Sequence, residues 1–444
     1  MLRRRLLPLA LAVLAYSCGG GSGDPGSTIS PKALKPMQTC DFTVNTTNDT
    51  VDVSPGDGTC ADSSNNCSLR AAIMEANAQG GTKVICLGTN QTYTLSRDTA
   101  AGDDDTAAED DLDIVAGADI TIEGNGSTVQ RDPSLTCNLD YTSAVGEFRI
   151  FHVLSGGSLT LKDLTVRNGC ADGILPPYAS GGGILNYGTL TIEGIAILNN
   201  FATDGGGIYN YGMVTIQNST ISDNNADPFF GSGGGIYNNS SSTLNIQSSN
   251  ISNNTSRYGG GVYNDSNSTV TIQSSTISSN SAGNNGGGIL NYYGTVTITN
   301  STISGNNANL SSGGGIYNNS GTLTITNSTI SGNSADGDGG GIDNSGTLTI
   351  TNSTISDNTA GHGGGIANGG TLDITNSTIS NNSAGFDGGG IENWTGTVNA
   401  SFVTIANNTA NNQGGGIYNL DTFNIKNSIV ANNTVGGSPQ NCTI

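Results

Sequence analysis

Asp338, His362 and Asp387 each stand immediately before a glycine triplet, and those triplets recur in three consecutive repeats of the chain. Asp336 lies close by, and Asp343 and Glu392 each follow the isoleucine after a triplet. Paired carboxylates at a fixed register are the raw material of glycoside hydrolysis, which needs two such groups about 5 to 9.5 Å apart. If consecutive repeats stack as strands, Asp343 and Glu392 stand two rungs apart, about 9.6 Å. A polysaccharide lyase would instead need a cation to neutralise a uronate and a basic residue to take a proton. After residue 170 the only Lys or Arg residues are Arg257 and Lys426, far apart in repeat number. The simpler reading is that outward positions on an acidic protein carry acidic residues.

The same register position holds Tyr209, Tyr237, Tyr263, Tyr317 and Tyr418 in other repeats, with Leu185 and Leu290 between. Stacked tyrosines can form a platform for sugar rings or for a partner's apolar surface. They can equally serve as strand neighbours. Trp394 follows Glu392 by two residues and adds a ligand-binding candidate. All of these positions are expected to face outward, because they alternate with an inward isoleucine and an inward asparagine.

What positions them is a phrase that returns ten times: GGGILN at 181, GGGIYN at 205 and 233, GGGVYN at 259, and so on to GGGIYN at 414. Starts are 24 to 28 residues apart, and each phrase leads into alternating segments such as GTLTITNSTISGN. Alternation marks strands, and the intervals leave no room for a helix between them. A period near 25 with several short strands predicts an all-β, right-handed parallel β-helix, each strand pairing with its counterpart in the next coil. A leucine-rich horseshoe has a similar period but needs a leucine framework, which is absent. Glycines that open onto strands rather than a helix do not form a nucleotide loop.

Stacking turns each phrase position into a ladder. Ile184, Ile208, Ile236 and their equivalents to Ile417 should fill the core. Asn186, Asn210 and their equivalents to Asn419 should bond amide to amide between coils. A second asparagine ladder from Asn224 to Asn408 closes the ISxN phrase, where left-handed turn geometry is expected.

Composition narrows the function classes. The 444 residues include 67 glycines, 14 Lys plus Arg and 35 Asp plus Glu, for a net charge of -21. Nucleic acid is an unsuitable partner, since phosphates require a basic surface. Neutral glycans, a cell-surface protein or calcium fit better. The run Asp98 to Asp113 is the densest acidic block. Clustered carboxylates suit calcium, although no DxDxDG spacing is present. No other cofactor is indicated.

Residues 1–17 read as an export signal: Arg3 to Arg5, then a short apolar stretch from Leu6 to Ala15. Cys18 follows small residues and precedes a Gly/Ser-rich tether over 18–39, so lipidation at Cys18 is the expectation, giving an exported, lipid-anchored protein that meets the membrane through the lipid only. The eight cysteines lie, except Cys442, in the first 170 residues, and Cys60 with Cys67 is the expected disulfide. Residues 40–110 should form a cap with irregular first strands, and 111–440 the β-helix. Within the cap, CSLRAAIMEAN (Cys67 to Asn77) predicts a helix capped by Ser68, with Leu69, Ala72, Ile73 and Ala76 on one face.

That phrase resembles the CSLREAI-type motif that opens many bacterial cell-surface repeat proteins, with Ala71 where the motif has glutamate. FTVNTTNDTVD is similar to their opening strand, and the GGGIYN repeats resemble their polymorphic outer-membrane-type repeats. The resemblance spans roughly residues 40 to 440. It implies an exported right-handed β-helix of pectate-lyase-like shape with a surface or adhesin-like role. Export, repetition and the lack of a convergent polar constellation add the expectation of a non-enzymatic, adhesin-like or structural protein. The alternative it leaves open is a polysaccharide lyase or glycoside hydrolase acting through the outward carboxylates.

Overall fold

The computed structural model describes residues 39–98, 105–138, 140, 145–172 and 179–443. The expected signal segment, Cys18, the expected tether to residue 38 and residues 99–104 of the acidic run lie outside the described residues. The fold is that of the compact unit Cys40–Ile444.

Each repeat makes one coil of four short strands. In a typical coil these are Ile316–Asn319, Thr322–Thr326, Thr329–Ser331 and Ser334–Ala335, after which Ile342–Asn344 opens the next. Every strand pairs in parallel with its counterpart one coil away, as in Ile316↔Ile342, Thr324↔Thr349 and Ile330↔Ile355. The sole antiparallel pairing among the described strands is the hairpin of Thr434–Val435 with Ser438–Pro439. The period-two pattern of TLTIT decides which side is core: Leu323 and Ile325 are fully buried, while Thr322 faces solvent.

The core is a set of aliphatic columns. Ile184 to Ile391 at the triplet strand are completely buried, and Ile417 nearly so. Fully burying one such side chain stabilises by about 1.5–3 kcal/mol, and no single coil can achieve it alone.

Two asparagine columns bind the coils together. Asn186 Nδ2 donates to Asn210 Oδ1 at 2.8 Å, and the same bond repeats coil by coil to Asn419. The second column runs from Asn200 to Asn433, and from Asn224 onward each amide accepts both a backbone N–H and a side-chain N–H from the asparagine one coil before. Buried amides with this many partners satisfy one another, so the column costs no unpaired polar groups. The turn geometry differs from expectation in one respect. The left-handed residue is the one before the ladder asparagine: Asp223, Asn253, Ser279, Gly305, Gly332, Asp357, Asn381 and Asn407. The ladder asparagine must aim its amide along the stack, so its neighbour takes the bend.

The one helix among the described residues, α1 (Leu69–Gln79), begins as expected, with the Ser68 hydroxyl accepting from the Ala71 N–H at 2.9 Å. Its predicted apolar face is buried, but so are Arg70 and Glu75 on its other sides. The Arg70 guanidinium pairs with Asp49 and donates to the carbonyls of Ala107, Glu109, Asp110 and Asp111. Glu75 accepts from the N–H groups of Gly56 and Gly58. Disulfides join Cys60 to Cys67, as the spacing suggested, and also Cys40 to Cys86 and Cys137 to Cys170. Cys442 is free and exposed.

Candidate functional site

The position after each isoleucine does point away from the core, yet it is not open. Leu185 and Ala367 are fully buried, Tyr209 is 3% exposed, and Asp343 and Glu392 are each 8% exposed. Tyr237, Tyr263, Tyr317 and Tyr418 are half-buried. The cause lies in the glycine triplet. Its first residue takes a positive φ, 66° at Gly388, and turns the incoming chain back across the strand. A Cβ on Gly388 would stand 2.6 Å from the Glu392 Cβ, so only glycine permits this approach. The chain ahead of each triplet thereby roofs the residue that alternation alone places in solvent.

On the acidic coils this roof is itself made of the candidate residues. Asp338 and His362 pair as neighbours across adjacent coils, and the Gly363 N–H donates to the Asp387 carbonyl. The His362 Nδ1 lies 3.4 Å from Glu392 Oε1 and 3.9 Å from Asp387 Oδ2. The Phe386 ring stacks on the imidazole at 4.9 Å between centroids. Burial pushes the Asp343 carboxyl up to about 8, with the negative charge of Asp338 adding to it. Burial likewise pushes Glu392 up to about 8, reinforced by Asp338, Asp387 and Asp343. His362, Asp387 and Glu392 thus come together, with Asp338 and Asp343 close enough to act on them electrostatically. A carboxyl that stays protonated near neutral pH can donate a proton, and a His/Asp/Glu trio can hold a cation.

The tyrosines spend their faces on one another. Tyr209 stacks on Tyr237 at 4.6 Å and Tyr237 on Tyr263 at 4.7 Å, nearly parallel in the first pair. Tyr187 and Tyr211 form a parallel stack at 4.5 Å, and Tyr209 leans on Tyr211 at 5.0 Å. Burial raises the phenol pKa of Tyr209, Tyr237 and Tyr263, so these hydroxyls stay neutral. Trp394 alone among the aromatic candidates is substantially exposed, at 49%.

Two further groupings lie apart from these side chains. Beside the cap, Asp110, Asp111 and Asp113 are buried, Arg149 pairs with Asp111 at 2.8 Å, and His152 Nδ1 lies 3.1 Å from Asp113. This described part of the acidic run is drawn inward by arginines and an imidazole rather than standing free in solvent. A groove of ≈ 680 Å³ lies on the outer face of the last coils, lined by Asp373, Asn399, Asn424, Phe423 and Lys426. It is on a different sheet from the carboxylate cluster. Charge in the sequence hinted at the first grouping; nothing in the repeat pattern hinted at the second.

The right-handed β-helix region family matches residues 149–283 and 234–402, which together span more than half of the chain. The Chlamydia polymorphic membrane protein repeat matches residues 402–420. No curated protein matches the chain. Among solved structures, the chain is similar to the A-module of the mannuronan C-5 epimerase AlgE6 of Azotobacter vinelandii. Identity there is 14% and the TM-score 0.39, covering 88% of this chain and 99% of that one. It is also similar to pectate lyase Pel9A, at 17% identity and a TM-score of 0.28, covering 91% of this chain and 79% of that one. At such scores neither neighbour bears on activity. Stacked coil on coil in parallel register and matched across most of its repeats, this chain belongs to the right-handed β-helix family.

Proposed function

We propose that the chain is an exported surface protein that works by contact, in an adhesin-like or structural role, with neutral glycans or a cell-surface protein as partner. The observation that carries this reading is the roofing of the carboxylates: at 8% exposure, Asp343 and Glu392 offer a polymer little approach. The polymorphic-membrane-protein repeat at 402–420 supports a surface or outer-membrane setting. No helix among the described residues is long and apolar enough to cross a membrane. An export signal, a lipid on Cys18 and an opening motif of the CSLREAI type complete the proposal. What the coils present to a partner is a neutral, in-register field of hydroxyls on the five-residue strands. Thr295, Thr322, Thr347 and Thr371 stand exposed there, one per coil. A glycan array read both for retention and for product release tests the proposal. Retention without release is expected. Release of unsaturated or reducing ends would overturn it.

A second reading is favoured by the carboxyl groups of Asp343 and Glu392, both held at about 8. A glycan-acting enzyme needs such a protonated acid near neutral pH. Under that reading Asp387→Asn combined with Glu392→Gln would keep binding and abolish turnover. Under the contact reading the same pair would leave the array pattern unchanged.

A further inference from the structure

We propose that His362, Asp387 and Glu392 form a binding site for one divalent cation of the zinc type. The three residues come from two successive coils, and their donor atoms all lie within 4.8 Å of one another. In a tetrahedral site with bonds of about 2.0–2.1 Å, neighbouring donors sit about 3.4 Å apart. The His362 Nδ1 stands 3.4 Å from Glu392 Oε1 and 3.9 Å from Asp387 Oδ2, so small side-chain rotations complete the geometry. Phe386, stacked on the imidazole, holds the ring in the plane that aims Nδ1 at both carboxylates.

The carboxylates are short of partners. The Glu392 side chain is 10% exposed, and its one ion pair among the described residues is with the imidazole, at 3.4 Å. Asp387 Oδ1 is buried without a hydrogen-bond partner. Asp338 stands beside His362 across the adjacent coil and adds a further carboxyl to this side of the stack. Among the described residues no Lys or Arg pairs with these carboxylates, their ion-pair partner being His362 itself. Beyond Arg257 the sequence contains a single Lys or Arg, Lys426, and that lines the groove on the other sheet. A buried carboxyl without a hydrogen bond favours keeping its proton, and a bound cation takes the place of that proton.

The donor chemistry selects the ion. An imidazole nitrogen with two carboxylates suits zinc and its first-row neighbours, whereas calcium and magnesium prefer all-oxygen shells. The 37% exposure of His362 leaves a solvent side for the ion to arrive and for a water to complete the shell. The site does not depend on the contact reading of the surface, and neither result below bears on the glycan array.

The test is calorimetric titration of zinc chloride into the untagged, chelator-stripped exported chain, with calcium chloride in a parallel titration. One zinc per chain is expected, with calcium at least tenfold weaker. His362→Ala should weaken zinc binding at least tenfold. Glu392→Gln, which keeps the shape and removes the carboxylate that would ligate the ion, should do the same while melting no lower than the parent in the absence of metal. That second variant keeps the test decisive if His362→Ala folds poorly. Absence of stoichiometric uptake, uptake unchanged in Glu392→Gln, or calcium binding as tightly as zinc would overturn the proposal.

Discussion

Gly388 folds back onto Glu392 so closely that a Cβ on the glycine would lie 2.6 Å from the Cβ of the glutamate. This contact converts an outward strand position into a roofed one. The same approach recurs at Gly205, where a Cβ would meet the Ile208 carbonyl oxygen at 2.6 Å and the Tyr209 Cα at 3.0 Å. One backbone device therefore sets the environment of the tyrosine stack and of the carboxylates alike.

Alanine at Gly388 combines two penalties, and a second glycine separates them. Gly194 has the same φ, 66°, but nothing lies within 4 Å of where its Cβ would go. Gly194→Ala should therefore cost only the left-handed strain, about 1 kcal/mol. Gly388→Ala adds a backbone clash and should cost about 3 kcal/mol or more. Chemical denaturation of both variants measures the gap; equal losses would show that the roof yields easily.

The asparagine columns predict a penalty far above that of an ordinary polar deletion. Asn306 donates to the Ile277 carbonyl and to Asn333 Oδ1, and accepts from the N–H and the side-chain amide of Asn280. Asn306→Ala strands several buried partners at once, each worth about 1–3 kcal/mol when left unpaired. A loss of about 3–5 kcal/mol is expected. In a solenoid the damage should be local, so hydrogen exchange should rise first at the amides of Asn280 and at neighbouring coils.

How much of this was readable beforehand follows from what repeats and what does not. Ile208 and Asn210 were legible because alternation and recurrence fix both their face and their neighbours. Asp343 takes the outward side as alternation requires, but its cover was not legible, because period-two alternation says which side of a strand a residue takes, not whether another stretch of chain covers that side. The glycine that allows the covering carries no side chain to announce it. Arg70 was invisible for a different reason: its partners, Asp49 and the carbonyls of residues 107–111, are 21 to 41 positions away in a region without repeats. Of the proposed cluster, the register of His362, Asp387 and Glu392 was legible, while their inter-residue distances depended on the roof.

Asp204 provides a pH-dependent test. Burial, with the charge of Asp227 adding to it, pushes its carboxyl up to about 6, against the hydrogen bond it accepts from the Ser232 N–H at 2.8 Å. An acid whose folded pKa exceeds its unfolded value penalises folding when ionised. The penalty is absent below the ordinary carboxylate value, near 3.8, and is complete above about 6. Asp204→Asn retains the acceptor oxygen and cannot ionise. It should stabilise the protein at pH 7 by about 2–3 kcal/mol, and the advantage should shrink steadily between pH 6 and 4. A difference that does not vary with pH would remove the electrostatic explanation.

Phe402 supplies a stabilising substitution that touches no site. It occupies a bend at φ 56°, the position held by Asn376 one coil earlier and Asn427 one coil later, at 50° each. Those bends share one register, since Asn376 donates to the Ser401 carbonyl and Phe402 to the Lys426 carbonyl. Left-handed backbone costs a bulky L-residue about 1–2 kcal/mol and asparagine much less. Phe402 gains little in exchange, because its ring is 58% exposed. Phe402→Asn should raise stability by about 1 kcal/mol in urea unfolding monitored by circular dichroism. Phe402→Gly should gain less, since glycine relieves the same strain but loses more chain entropy on folding. If Phe402→Asn destabilises instead, the exposed ring must contribute packing that outweighs the strain at its own Cα.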